Sequence, residues 1–358
     1  MNLTKDKKLG TWLVQFYYTD WQGKKKKKLK RGFRTKAEAS QWAMDFLQQQ
    51  QSDLDMVFEK FVELYYEDIE NRLKETTMRT KKYIIDLKIL PYFKDKRIND
   101  IKAADIRKWQ NKLLHEGYTP TYLKTINNQL AAIFNYAERY YDLKNNPCKK
   151  AGTIGKSKAD EMLYWTKDEY LQFLEGVKDK EMSYMAFQIL YWTGMRIGEL
   201  LALTFNDIDF EERKISITKT YTRINGEDKV TTPKTPKSNR KVNIPKFLVE
   251  DLKDYTSKLY GIMANERIFH CTSSYLTSEM KRGVNKTGVK KIRLHDLRHS
   301  HASLLVEMGV TPLEMAERLG HEKIETTLNT YSHLYPNKQA QLADRLDGEF
   351  DREEEEEL

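Results

Sequence analysis

The spacing of apolar residues changes period along the chain. Trp12, Val14, Phe16 and Tyr18 alternate with Leu13, Gln15 and Tyr17, the two-residue repeat of a half-buried strand. Trp21-Gln22-Gly23 and the lysines after it read as a turn with a charged tip, and 29–33 as the returning strand. Thr35, with Glu38 three residues on, forms a capping box. It opens a helix whose Ala39, Trp42, Ala43, Phe46 and Leu47 share one face. Residues 1–50 therefore predict a small α+β domain. From 54 to 145 the repeat is helical, over 54–72, 80–90, 104–116 and 120–141. In the last of these, Ile126, Leu130, Ile133, Phe134, Ala137 and Tyr141 make one stripe, with Thr119 and Pro120 suited to the cap and first turn. Lys81, Lys82, Arg107, Lys108, Lys112 and Lys124 fall on polar positions, which gives a four-helix module with basic faces.

Residues 146–162, with few large apolar side chains, read as a linker. Thr166 and Glu169 then form a second capping box. An apolar helix over 184–192 stops at Thr193-Gly194, and the next is expected over 195–203. Residues 208–245 switch to short strands, 214–218 and 241–245, with a turn at Asn225-Gly226 and a basic hairpin tip from Thr232 to Arg240. The segment 294–301 leads into a helix over 302–308. Leu319-Gly320-His321 ends a further helix, and 324–335 is the last. The expected fold class is multidomain and mainly α with small β-sheets. Its parts are 1–50, 54–145, the linker, a mixed domain over 163–350, and an acidic tail over 351–358.

Composition narrows the possibilities. Two cysteines, Cys148 and Cys271, cannot build a disulfide framework or a four-thiolate zinc site. No run reaches the roughly 18 apolar residues of a membrane span. Gln15 interrupts the only early apolar run, so no secretory signal is expected, and the protein is expected to be soluble and cytoplasmic. Sixty-two Lys and Arg against 53 Asp and Glu give a net charge of +9, which points to a polyanionic partner. The charge is uneven. Residues 1–50 hold twelve basic and four acidic side chains, and 341–358 hold two and nine. The runs Lys24–Lys28 and Glu353–Glu357 account for much of this. Either run alone is ordinarily a solvated segment.

Individually, the candidate chemical residues are unremarkable in kind. Arg196 and Glu199 share a helix face and suit a surface ion pair. Lys234 and Lys237 sit at a hairpin tip. Tyr331, on a helix, suits a half-buried core position. His295, Asp296, His299 and His301 crowd together, with His295 and His299 at metal-ligand spacing. The segment lacks the glutamate of H-E-x-x-H, which weakens a metal reading. Together they say more. Two arginines, a lysine, two histidines and a tyrosine can hold a phosphodiester, attack it and protonate its leaving oxygen. A tyrosine needs a base and positive surroundings for this, because its ordinary pKa is about 10. No G-x-x-x-x-G-K-[ST] loop for ATP is present.

The segments TGMRIGELLALTFNDID, HDLRHSHASLLVEMG and LGHEKIETTLNTYSHL resemble the tyrosine recombinases, specifically integrases of temperate phages and conjugative elements. The hairpin PKTPKSNRKVNI resembles that family's K-T-x-x-S-x-R element, which places the lysine at Lys234, with Lys237 as the alternative. The resemblance covers nearly the whole chain. It implies an arm-type DNA-binding domain over 1–50; Lys24, Lys25, Lys26, Lys27 and Lys28 there, and Arg240 in the second half of the chain, are the expected DNA contacts. It also implies a core-binding helical domain and a catalytic domain. Tyr331 would form a 3′-phosphotyrosine. Arg196 and Arg298 would hold the phosphate, and Lys234 would protonate the 5′ oxygen. His295 would assist the tyrosine proton, His321 would bond a phosphate oxygen, and Glu199 would support the site from behind. Two rounds through a Holliday junction would integrate or excise a mobile element. The implied assembly is a homo-tetramer on double-stranded DNA, with no metal or other cofactor. An excision factor and a host DNA-bending protein are the further partners to consider. A type IB topoisomerase, a non-catalytic DNA binder and a metal-dependent nuclease are the rival readings. Recombination between two sites, possession of all six residues and indifference to EDTA respectively separate them.

Overall fold

A computed structural model describes residues 1–5, 10–19, 25–51, 56–157, 162–232, 236–261 and 263–335. The turn expected at Trp21-Gln22-Gly23, Lys24, Lys234 and the acidic tail lie outside these residues, as does the side chain of Leu47. The chain divides into two compact units, Met1–Asp160 and Glu161–Leu358.

The first unit opens with an antiparallel sheet, β1 (Asn2–Lys5), β2 (Trp12–Thr19) and β3 (Lys25–Phe33), followed by helix α1 (Lys36–Gln51). Thr35 Oγ1 accepts from Glu38 N at 3.1 Å, while the Glu38 carboxylate takes Arg34 N at 2.9 Å. Val14 and Phe16 alternate inward and pack with Phe33, Ala39 and Ala43. The other face carries Tyr17, which is exposed, opposite Lys27. One expectation needs correcting here. Lys25–Lys28 do not form a hairpin tip but are the first four residues of β3, paired with Thr19 through Phe16. Lys28 Nζ lies 5.0 Å from the centre of the Phe46 ring, a cation–π contact that draws it inward.

Helices α2 (Phe58–Glu70), α3 (Glu75–Ile84), α4 (Leu90–Phe93), α5 (Ala103–His115) and α6 (Pro120–Tyr140) surround a core that includes Phe58, Phe93, Trp109, Ile126 and Phe134. Between α3 and α4 the backbone widens into a π-helical turn, Ile85–Ile89. Pro91 follows it; with no N–H and a bulky ring, it cannot continue an ordinary α-helical ladder. Trp109 Nε1 donates to Lys88 O in this turn at 2.9 Å. The expected linker also differs. Asn146 caps a short helix, α7 (Pro147–Ala151), and Ala151 and Ile154 are buried in the helical core. Gly155 lies so close to α6 that an added Cβ would sit 2.1 Å from Pro120 O.

In the second unit, α8 (Lys167–Glu175) begins at the predicted Thr166–Glu169 capping box. It packs with α9 (Glu181–Thr193), α11 (Lys246–Ser257) and α12 (Ser273–Thr287) around Trp165, Phe173, Phe187 and Phe269. A single-turn helix, α10 (Ile197–Leu200), stands where a longer one was expected. Strands β4 (Ile208–Asp209), β5 (Lys214–Ile217) and β8 (Arg240–Asn243) form one sheet; β6 (Thr220–Ile224) and β7 (Glu227–Thr231) form a hairpin. Its turn residues Asn225 and Gly226 both have positive φ, 53° and 86°, as the Asn-Gly pair predicts. The last elements are α13 (Asp296–Glu307), α14 (Pro312–Leu319) and α15 (Ile324–Tyr331). Helix α13 starts six residues before the expected 302. Its N-terminus is held by the buried Asp296, which accepts from Arg293 N at 2.7 Å and pairs with the Arg293 guanidinium.

Candidate active site

The site forms where the end of α9, the start of α10, the start of β8, α13 and the turn after α14 meet. Helix α9 stops at Gly194, whose φ of 66° is left-handed. The backbone there turns back, and Gly194 O accepts from Arg298 Nη1 at 2.8 Å. Leu319 O, at the end of α14, accepts from Arg298 Nη2 at 2.7 Å. Two helix C-termini thus supply carbonyls to one buried guanidinium. Burial, with Arg196 and Arg240 nearby, pulls the Arg298 pKa down to about 9.

Arg298 Nη2 also lies 2.9 Å from His321 Nε2. An arginine only donates, so Nε2 is the bare nitrogen and Nδ1–H donates to Thr327 Oγ1 at 2.8 Å. Burial, then Arg298, Arg196 and Arg240, push the His321 pKa down to about 4.

Arg196 stands at the start of α10 with 39 % of its side chain exposed. Its Nη1 donates to Glu199 Oε1 and its backbone N–H to Glu199 Oε2, both at 2.9 Å. Behind this pair lies Arg240. Its Nη2 donates to Glu199 Oε2 at 2.9 Å, Nη1 to Glu199 Oε1 at 3.3 Å, and Nε to Arg318 O at 2.9 Å. Burial alone would raise the Glu199 pKa; Arg240, then Arg196, outweigh it and hold the carboxyl below its usual range. Arg240 therefore departs from its expected role as a DNA contact. Only 6 % of its side chain is exposed, and its N–H groups are spent on Glu199, Arg318 O and Ser238 O.

Tyr331, at the end of α15, is 1 % exposed among Ala302, Leu305, Met315 and Leu319. Its Oη lies 3.0 Å from His299 Nδ1. Burial raises the Tyr331 pKa, and Arg298 and Arg196 partly oppose the rise. Burial and His295 lower that of His299 to about 4. His295 is exposed at the rim, its ring edge-on to His299 with centroids 5.4 Å apart. Partial desolvation and Arg298 lower its pKa.

Arg196, Glu199, Arg298, His321 and Tyr331 are thus gathered by a connected set of contacts. Lys237 is exposed in a 3₁₀ turn, and Lys234 lies outside the described residues. Two residues that the sequence did not single out as site members join them. One is His299, weighed only as a metal ligand although it follows Arg298 directly. The other is Arg318, whose Nε donates to buried His301 Nε2 at 3.0 Å. Among the described residues no group of three or more His, Cys, Asp or Glu is placed to hold a metal ion. No helix there is long and apolar enough to cross a membrane.

The fold is shared with known integrases. A structure of the Tn1549 transposon integrase in complex with a circular intermediate DNA matches 82 % of this chain and 98 % of its own, at 22 % identity and a TM-score of 0.65. A λ integrase tetramer bound to a Holliday junction matches 90 % and 96 %, at 19 % identity and a TM-score of 0.59. In sequence, the ICEBs1 integrase of Bacillus subtilis (strain 168) is 31 % identical over 304 residues, 81 % of this chain and 82 % of that protein. The Phage integrase family matches 164–338, the phage integrase N-terminal SAM-like domain 57–114, and the Arm DNA-binding domain 2–50. The chain belongs to the phage integrase family of tyrosine recombinases. It is a site-specific recombinase of the integrase type, acting on mobile DNA.

Proposed function

We propose that Tyr331 attacks the scissile phosphate and leaves a 3′-phosphotyrosine. The observation that carries this is Arg298, buried and braced on two helix ends, beside the turn that presents His321 and on the helix that contacts Tyr331. Arg196 and Arg298 bind the non-bridging oxygens and stabilise the charge of the transition state. Glu199 and Arg240 hold Arg196 in place. The phosphate takes over the Arg298 donor that now points at His321, and His321 turns to the same phosphate. Lys234, or Lys237, gives a proton to the departing 5′ oxygen. The 5′-hydroxyl of a partner strand then reverses the step.

Core-type DNA is gripped by the helical module and arm-type DNA by the β2–β3 face that carries Tyr17, Lys25 and Lys27. The working assembly is a tetramer on two DNA sites, helped by an excision factor and a host DNA-bending protein. The test is covalent trapping on a nicked duplex carrying the DNA that flanks the gene for this chain, in EDTA. A protein–DNA band is expected with the unaltered chain and not with Tyr331→Phe, which still binds the duplex. A band from Tyr331→Phe would overturn the assignment of the nucleophile. A band that is absent in EDTA and appears when excess divalent metal is supplied would overturn the metal-free chemistry.

A further inference from the structure

We propose that His299 is the group that takes the proton of Tyr331 as the phenol oxygen attacks phosphorus. This rests on Tyr331 being the nucleophile.

The Tyr331 side chain is buried, and its phenol oxygen is already in hydrogen-bond contact with a histidine. Burial also holds that proton on the oxygen, since it raises the Tyr331 pKa, so attack and proton removal belong to one step. Among the described residues, the group within hydrogen-bond distance of Tyr331 Oη is His299 Nδ1, at 3.0 Å. The resemblance gives this task to His295. That ring stands four residues earlier on the chain and is exposed, while the bond to the phenol is made by His299. The charged and titratable groups around His299 include His295, Asp296, Arg293, Arg298, His321 and Tyr331. Their sum, with desolvation, keeps the imidazole neutral near pH 7, so Nδ1 is free to accept and Nε2 carries the hydrogen. The charge of a phosphodiester brought to Arg196 and Arg298 raises the proton affinity of the ring when it is needed.

The step balances. The Oη–H bond breaks and its proton moves to Nδ1, giving an imidazolium. The freed pair on Oη forms the bond to phosphorus, and the bond from phosphorus to the 5′ oxygen breaks. That oxygen is protonated separately by a lysine. On religation the imidazolium returns its proton to Tyr331.

The test compares single-turnover cleavage by the full chain and its variants on a nicked duplex that the unaltered chain converts to covalent complex. His299→Asn accepts a hydrogen bond from the phenol but cannot hold its proton. It is expected to cleave about 100-fold more slowly, the lower end for general-base loss, with DNA binding unchanged. His299→Ala is expected to be slowed as much, and added imidazole is expected to speed the alanine variant and not the asparagine one. A 5′-bridging phosphorothiolate, whose sulfur leaves without a proton, is expected to leave the His299→Asn defect in place. Asparagine cleaving at the unaltered rate, or recovery on the phosphorothiolate, overturns the assignment and leaves Tyr331 as the nucleophile. Covalent product from Tyr331→Phe overturns the underlying reading instead.

Discussion

Glu199 is the residue on which the positive side of the site depends. It is a nearly fully buried carboxylate, and it faces both Arg240, equally buried, and Arg196, half in solvent. The two contacts are not equal. The pair with Arg196 is screened by water and contributes little to stability, whereas removing the charge opposite Arg240 leaves a guanidinium in the interior without its counter-ion. Glu199→Gln is therefore expected to destabilise the catalytic unit by about 3 kcal/mol, the lower end for a broken buried pair. It should also slow cleavage by freeing Arg196. Urea unfolding followed by single-turnover cleavage measures both, and an unchanged midpoint would show that Arg240 has found another partner. Nothing in the string Ser238-Asn239-Arg240 distinguishes a buried arginine from a solvated one. Polarity places Arg240 on the surface; its role comes from Glu199, forty-one residues away in sequence. His299 was hidden differently: its spacing to His295 fits a metal pair, and only the fold brings Tyr331 to its ring.

At the scale of elements, ends matter more than middles. Gly194 ends α9 with a left-handed φ, and an added Cβ would meet His301 Cδ2 at 2.5 Å and Leu319 Cδ2 at 2.9 Å. Both strain and crowding oppose a side chain there. Gly194→Ala is expected to cost about 2 kcal/mol and to displace the carbonyl that holds Arg298. Weaker binding of a short core-type duplex, with α-helix content kept in circular dichroism, is the expected result; binding at full strength would mean that the turn adapts. The ends that obey local rules were legible. Thr119, Thr166 and the Asn225-Gly226 turn stand as their side-chain chemistry predicts. Ends set by distant packing were not. The true start of α13 depends on buried Asp296 being paired with the exposed Arg293, and the π turn before Pro91 depends on Trp109 taking a carbonyl from it. Short β1, with no apolar alternation of its own, exists because β2 offers it an edge.

Over the whole molecule, fold class and enzyme class followed from the sequence because the apolar period and four widely separated motifs agreed with each other. The positive charge suggests nucleic acid only in bulk, since most of it lies on exposed side chains. The catalytic unit spends part of its charge in another way. Arg196 and Arg240 share the Glu199 carboxylate, with Arg298 nearby, and burial, then Arg196 and Arg240, make Arg298 easier to deprotonate. Such crowding is repulsion held in the folded state, and an anion that fits between the guanidinium groups relieves it. If Arg196 and Arg298 hold the scissile phosphate as proposed, DNA is expected to act as a stabilising ligand before it is a reactant. Inorganic sulfate at millimolar concentration should raise the unfolding temperature by several degrees and saturate, since a ligand at 100 times its Kd adds about 2.7 kcal/mol. Arg196→Ala should flatten that curve. A rise that is linear in salt and equal in the variant would show general salting rather than a filled site. An integrase built this way is expected to be least stable when it is alone and to stiffen on the strand it is about to cut.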